Sequence, residues 1–288
     1  MIRNMNTYPL YDDGKHRVYW LGIEEAEDEK GILTNQYLVV DGNEAALIEP
    51  GGFFVFSRVL KNVSSIIPPT QIKYLMYSHQ DPDVVAGLNL WFEYAPLAKV
   101  AISELWVRFI PHMAVLSAGR TMGIPDKGMD FQLGNSTIKA VPSHYLHSPG
   151  NFSFYDEKSG ILFSSDIGAA AFPEGEWYLF VEDFEEHIKH MEGFHMRYMS
   201  STKALMAWVR SVRRLKPQLI APSTGQYSGT KTLEDSSTGS KALRLAWMSS
   251  KGSSTWTESP EFFSPAPEAP RDPSRSSQHP RFYRSALR

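Results

Sequence analysis

Residues Ser78–Gly87 read SHQDPDVVAG, with His79, Asp81 and Asp83 on alternate positions followed by valines. Imidazole and carboxylate are the donors that zinc, iron and manganese accept when thiolate is absent, so the stretch reads as the start of a metal site. A two-metal site would take a further nitrogen donor directly after the last acid, where this chain has Val84. Asp-Pro-Asp is also good turn chemistry, and the fragment by itself leaves a polar turn open. The flanks say more. Ile72–Tyr77 is an apolar strand running out into the polar cluster. Behind it, Val84, Val85, Leu88, Trp91 and Phe92 recur at helical spacing, which predicts one amphipathic helix over VVAGLNLWFEY.

Outward from this unit the alternation continues. QYLVVDGNEAALIEPGG places two apolar strands around the hairpin turn Asp41-Gly42-Asn43. VAISELWVRFI predicts a short strand and a helix starting near Ser103. Two more hairpins turn at Leu133-Gly134-Asn135 and at Asp156 to Gly160. STKALMAWVRSVRRL predicts a long helix with Leu205, Trp208, Val209 and Val212 inward and Arg210, Arg213 and Arg214 in water. QLIAPSTG is one more strand ending in a loop. This mixture predicts two packed sheets flanked by helices, an α/β or α+β sandwich. Trp91, Phe92, Trp106 and Trp208 read as core.

With 288 residues, 42% of them hydrophobic, the chain can bury one sizeable core plus an appendage. A net charge of −3 gives no field for nucleic acid or an anionic membrane, and basic residues are not interleaved with aromatics. The absence of cysteine excludes disulfides, thiolate sites and cysteine nucleophiles, and fits a cytoplasmic protein. No apolar run has the length of a signal core or a membrane span. There is no G-x-S-x-G elbow, Walker loop or zinc-protease helix motif.

Four polar clusters each sit where an apolar strand ends: SHQDPD; SHYLHSPGN, with His144 and His147; SSDIG, with Asp166; and APSTGQ, with Thr224. In this order they resemble the metallo-β-lactamase fold. HQDPD, HSPGNF, LFSSD and GFHMRYM resemble its diiron branch, the flavodiiron proteins and especially the oxygen-binding diiron proteins, which are similar to the diiron domain of those enzymes without the flavin domain. The resemblance covers Tyr19 to Tyr227. It implies a metallo-β-lactamase-like αββα sandwich over residues 1–240.

The resemblance further implies that His79, Asp81 and His147 hold a first metal, that Asp166 bridges to a second, and that Asp83 is the remaining carboxylate there. It also implies two nitrogen donors that this chain lacks. Val84 stands directly after the second acid, and Thr224 stands where the family has the histidine of Pro-x-His-Gly. Loss of the first agrees with the oxygen-binding branch, in which an open position suits O2; loss of the second departs from it. The implied cofactor is iron, two ions with the second short of nitrogen, with zinc as the alternative and no FMN domain.

The implied function is a non-haem diiron protein that binds or reduces O2. It is sensor-like, because only about sixty irregular residues follow the site, too few for a flavin domain. A signalling partner or an external electron donor such as rubredoxin would then act on it, and the flavodiiron relatives imply a homodimer. Two alternatives stand beside this. One is a zinc hydrolase acting on an ester or thioester with a metal-bound hydroxide; that branch shows His-x-His-x-Asp-His, from which Asp81 and Val84 depart. The other is a metal-impaired relative that keeps the scaffold for a partner, motivated by Val84 and Thr224.

Around the ligands, His144 and Glu49 read as outer supports, Glu49 standing in LIEPG where this fold often shows aspartate. His195, Arg197 and Tyr198 in GFHMRYM read as donors to bound oxygen or as a packed helix start. His187 and His190 read as a solvated helix face; His16, His112 and His279 carry no role. Residues 241–288, rich in Ser, Pro and Arg without a period, predict a disordered low-complexity tail or the product of a reading-frame slip. Gln-His-Gly encoded CAG-CAC-GGN and read one base late gives Ser-Thr, as found at Ser223-Thr224.

Overall fold

The computed structural model describes residues 7–23, 33–114, 119–173 and 178–224, with the backbone of 228–229. The segment from 230 onward, and with it the tail expectation and His279, lies outside the described residues. The first sheet is β1 (Tyr8–Asp12), β2 (His16–Trp20), β3 (Tyr37–Asp41), β4 (Glu44–Ile48), β5 (Ile72–Met76), β6 (Lys99–Ser103) and β7 (Thr121–Ile124), hydrogen-bonded in that order. Its first four strands are antiparallel and its last four parallel. The parallel steps need crossovers. These are α1 (Phe56–Ser64) between β4 and β5, then α2 (Pro82–Val85) and α3 (Leu88–Tyr94), then α4 (Glu104–Val107).

The second sheet runs β13-β12-β11-β10-β9-β8, from β8 (Asp130–Leu133), β9 (Ser136–Pro142), β10 (Phe152–Asp156), β11 (Ile161–Phe163), β12 (Leu219–Ala221) and β13 (Ser228–Gly229). The three hairpins fall where the turn residues predict. Between β11 and β12 lie α5 (Phe184–Tyr198) and α6 (Thr202–Leu215).

Period-2 alternation decides which face each strand residue buries. On β3, Tyr37 and Val39 point between the sheets, where they meet Phe131, Phe152, Phe154 and Phe163. Leu38 and Val40 point the other way, onto Phe56, Val59, Val63 and Trp91 of α1 and α3. Outside the second sheet, Leu205, Trp208, Val209 and Val212 of α6 pack on Leu162, and Trp208 donates its indole N–H to Ser153 Oγ at 3.0 Å. Each such fully buried side chain stabilises the fold by roughly 1.5–3 kcal/mol. The layers are therefore helix, sheet, sheet, helix, the predicted αββα sandwich. No helix among the described residues is long and apolar enough to cross a membrane.

One predicted element differs. The single helix expected after Asp83 is two, broken at Ala86–Gly87. Gly87 N–H donates to Gly51 O, and a Cβ on Gly87 would lie 2.6 Å from that oxygen. The β4–α1 loop thus presses backbone to backbone against the ligand-bearing segment. Val84, Val85, Leu88 and Trp91 keep the burial that their spacing predicts.

Candidate metal centre

The strand-end clusters meet because the topology puts them at one end of both sheets. His79 follows β5, His147 lies between β9 and β10, Asp166 follows β11, and Ser223 follows β12. Backbone bonds stitch these loops together: Phe152 N–H to Ser78 O at 3.1 Å, Ser164 N–H to Ala221 O at 3.0 Å, and Ser223 N–H to Ser165 O at 2.8 Å. On that frame His147 Nε2 lies 2.8 Å from Asp166 Oδ2 and 3.3 Å from Asp81 Oδ2. His79 Nε2 lies 3.3 Å from Asp166 Oδ2 and 3.6 Å from Asp81 Oδ2. His79, Asp81 and His147 offer donor atoms all within 4.8 Å of one another, and Asp166 pairs with both imidazoles beside them. The Asp81 side chain is 33% exposed and that of Asp166 only 10%, so the cluster opens to solvent on the Asp81 side.

The charges in this cluster are mutually dependent. Burial works against a charged His79, yet Asp166, Asp81 and Glu49 together push its imidazole well above the ordinary value. Burial likewise opposes His147, which its contacts with Asp166 and Asp81 raise to about 9. Asp81 is held far below the usual carboxylate range by His147 and then His79. Asp166 is lower still: burial opposes its charge, but His79, His147 and the Ser223 hydroxyl outweigh it. Such a set demands positive charge, which protons or a cation can supply.

Small polar side chains hold the donors in place. His79 Nδ1 lies 2.8 Å from Ser78 Oγ and 3.3 Å from Ser165 Oγ, leaving Nε2 for the carboxylates. Gln80 Nε2 donates to Asp81 Oδ1 at 3.0 Å, and Gln80 Oε1 accepts from Ser148 Oγ at 2.6 Å. Asn151 accepts from Ser165 Oγ at 2.9 Å and donates to Ser143 Oγ at 3.0 Å and to Leu146 O. Glu49, Tyr145 and Ser165 have left-handed backbone, at φ 52°, 65° and 58°, so local strain is concentrated in the segments beside the ligands.

This geometry accompanies a family match. The family model described as ODP family beta lactamase matches residues 32–225. The chain belongs to that family. Two solved structures of a chemotaxis sensor ODP, one titled for its peroxy diiron species and one for its apo state from T. denticola, are each 43% identical. Each match covers 85% of this chain and 94% of the other, with TM-scores of 0.72 and 0.71. The flavodiiron protein of Giardia intestinalis shares the fold at 16% identity and a TM-score of 0.69, over 81% of this chain and 58% of that one. Among curated relatives, the uncharacterized protein MJ0732 of Methanocaldococcus jannaschii is 24% identical over 73% of this chain and 55% of its own length. The chain spans between about a quarter and about three fifths of the length of the curated relatives it matches.

The remaining predicted residues in this ODP family member fall in different places. Asp83 opens α2 outside the close group; desolvation and the charges of Asp166 and Asp81 raise its carboxyl, although the residue as a whole is exposed. Burial of the carboxyl at the cluster's edge is the larger cause, and the neighbouring carboxylates add to it. Glu49 is buried, with no well-formed hydrogen bond on either oxygen; burial raises it to about 7, against the opposing influence of His79 and Ser78 nearby. Tyr198 is 43% exposed and lies 5.4 Å from the His147 ring, stacked on Phe194 at 4.6 Å. Val84 faces the helix-layer core, and Thr224 pairs with Thr34 in an isolated bridge.

Four expectations need correction. His195 has no N–H for a bound oxygen: its Nε2 accepts Gly168 N–H at 3.1 Å, which leaves its proton on Nδ1 for Met191 O at 2.9 Å. Burial lowers it to about 4, and it ties α5 to the Asp166 loop as a neutral ring. His144 turns its Nε2 to Asp126 O at 2.8 Å and so stands apart from the ligands. His187 and His190 are not a solvated face. His187 is buried with Nδ1 2.7 Å from Tyr178 OH, and His190 stacks on Phe172 at 4.3 Å. His16, assigned no role, is fully buried between two aspartates: Nε2 is 2.7 Å from Asp156 and Nδ1 is 3.4 Å from Asp41. Ser78, Gln80, Ser165 and Ser223 carry no sequence signal beyond lying next to a ligand.

Proposed function

We propose that the chain is a non-haem iron protein that responds to O2, with His79, Asp81, His147 and Asp166 holding the principal ion. The observation that carries this is the convergence of two imidazole nitrogens and two carboxylate oxygens at an opening, within 2.8–3.6 Å of one another across the four pairs. The donor set fits a divalent cation. Both carboxylates are strongly held in the charged form, and both imidazoles gain positive charge that an ion can replace. Two carboxylates with two imidazoles suit iron better than the histidine-rich set of a zinc hydrolase. Kinship with a sensor whose structure is titled for a peroxy diiron species supports the choice of metal and ligand.

Reduced iron held by His79, Asp81, His147 and Asp166 would supply the O2-binding chemistry. The protein's own groups do the rest. Ser78 and Ser165 fix the Nδ1 proton of His79 and so direct Nε2 into the site. Gln80 fixes Asp81, and Ser223 fixes Asp166. Phe194 and Tyr198 cover the outer side of the His147 ring and restrict water there. A second ion would share Asp166 and take Asp83. No nitrogen donor for it stands among the described residues, since Val84 is in the core. We read the protein as a cytoplasmic sensor rather than a fast reductase.

The test is iron content per chain after anaerobic loading, then the absorption spectrum on adding O2. One or two bound ions and a new visible charge-transfer band are expected, and the metal count decides the second position. Stoichiometric zinc with ester hydrolysis, or no bound metal at all, overturns the proposal.

A further inference from the structure

We infer that Asn151 is the positioning residue that holds three ligand loops of this site in one register. The inference rests on the metal-binding reading above. Asn151 stands at the mouth of β10, is 1% exposed, and uses every polar atom of its amide. Its nitrogen faces Leu146 O, which can only accept, so the amide orientation is determined by its partners. Leu146 immediately precedes His147. The amide oxygen of Asn151 accepts from Ser165 Oγ at 2.9 Å, and Ser165 immediately precedes Asp166. With its proton given to Asn151, the Ser165 hydroxyl keeps a lone pair toward His79 Nδ1, 3.3 Å away. One amide thereby touches the approaches to His147 and to Asp166 and, through the Ser165 hydroxyl, reaches the far side of His79. The third bond, to Ser143 Oγ, leads toward His144, which faces Asp126.

These contacts distinguish positioning from general loop packing. Asn151→Asp keeps the shape and still accepts from Ser165, but it sets a carboxylate oxygen against the Leu146 carbonyl. Ser165→Ala removes the link to His79 and Asp166. Ser143→Ala removes a comparably buried bond of the same amide that leads to no ligand.

The experiment is Co2+ titration of the full chain followed by the visible d–d spectrum, with circular dichroism to follow folding. Asn151→Asp is expected to weaken Co2+ binding by ~10–100-fold and to alter the band, as loss of an outer hydrogen bond does at metal sites. Ser165→Ala should give a smaller weakening with a shifted band, and Ser143→Ala a wild-type spectrum. Wild-type affinity and spectrum in Asn151→Asp would overturn the inference. So would a Ser143→Ala effect as large as that of Ser165→Ala, a comparison that holds even if Asn151→Asp does not fold. A wild-type chain that leaves Co2+ unbound overturns the metal reading itself, and this inference with it.

Discussion

The sandwich holds a histidine between two carboxylates at each of its two ends, and the two arrangements have opposite characters. At the end where β3 and β10 finish, His16 sits between Asp41 and Asp156, one carboxylate from each sheet. The other oxygen of Asp41 accepts from Asn135 N–H and that of Asp156 from the Ser136 hydroxyl, while Ser159 donates to the Asp156 oxygen that His16 contacts. At the end where β5 and β11 finish, His79 sits among Asp81 and Asp166, again from both sheets, but a second imidazole joins it and Asp81 opens to solvent. The same three groups thus make a closed inter-sheet clasp at one end and the proposed cation site at the other. What separates them is not hydrogen-bond supply, since Gln80 and Ser223 also donate to Asp81 and Asp166, but the second imidazole and the opening to solvent at Asp81. The closed end holds one buried imidazole between its carboxylates; the open end brings four donor groups together where solvent reaches them.

The largest effect tests the open end. Asp166→Ala removes the carboxylate that both imidazoles share, and metal content per chain is expected to fall to background. Asp156→Ala tests the closed end. It leaves His16 buried against a lone partner, and denaturant unfolding should show a loss of about 3–5 kcal/mol, with metal stoichiometry unchanged in the folded protein. Equal effects of both substitutions on metal binding would dissolve the contrast.

Acidity sharpens it further. Burial lowers both His187 and His195 from 6.5 to about 4. The unfolded chain therefore takes up protons first as the pH falls from 6.5 to 4. The contribution of these two rings to stability declines through that window and levels below it, by ~2–4 kcal/mol for each ring. His195→Gln should remove about half of that decline in thermal melts across the range. The smallest effect belongs to the rim. Tyr198→Ala should change stability within about 0.5 kcal/mol while altering the absorption of the loaded centre, because its ring lies against His147.

The sequence carried the hairpins and α6 clearly, since Asp41-Gly42-Asn43 and the 205/208/209/212 stripe are local signals. His79, Asp81, His147 and Asp166 could be singled out because each comes after an apolar strand, and their order resembles that of a family. His16 was not, because its partner Asp156 lies 140 residues away and no local pattern marks the pair. The buried face of α5 was hidden for a different reason: His187 and His195 look polar, and only their neutral, fully bonded state makes them core. Asn151 and Ser165 are small polar residues whose meaning is a three-dimensional contact. The break between α2 and α3 was invisible because it depends on a loop 36 residues earlier meeting Gly87.

That meeting of glycines bears on how this site can evolve. At Gly51 a methyl would lie 2.4 Å from Val55, at Gly52 2.8 Å from Pro82 O, and at Gly87 2.6 Å from Gly51 O. The segment bearing Asp81 and Asp83 is therefore moulded onto the loop behind it with no room for a side chain. A library randomised at these three positions would return glycine under selection for a loaded centre, whereas position 224 is free to explore new donors.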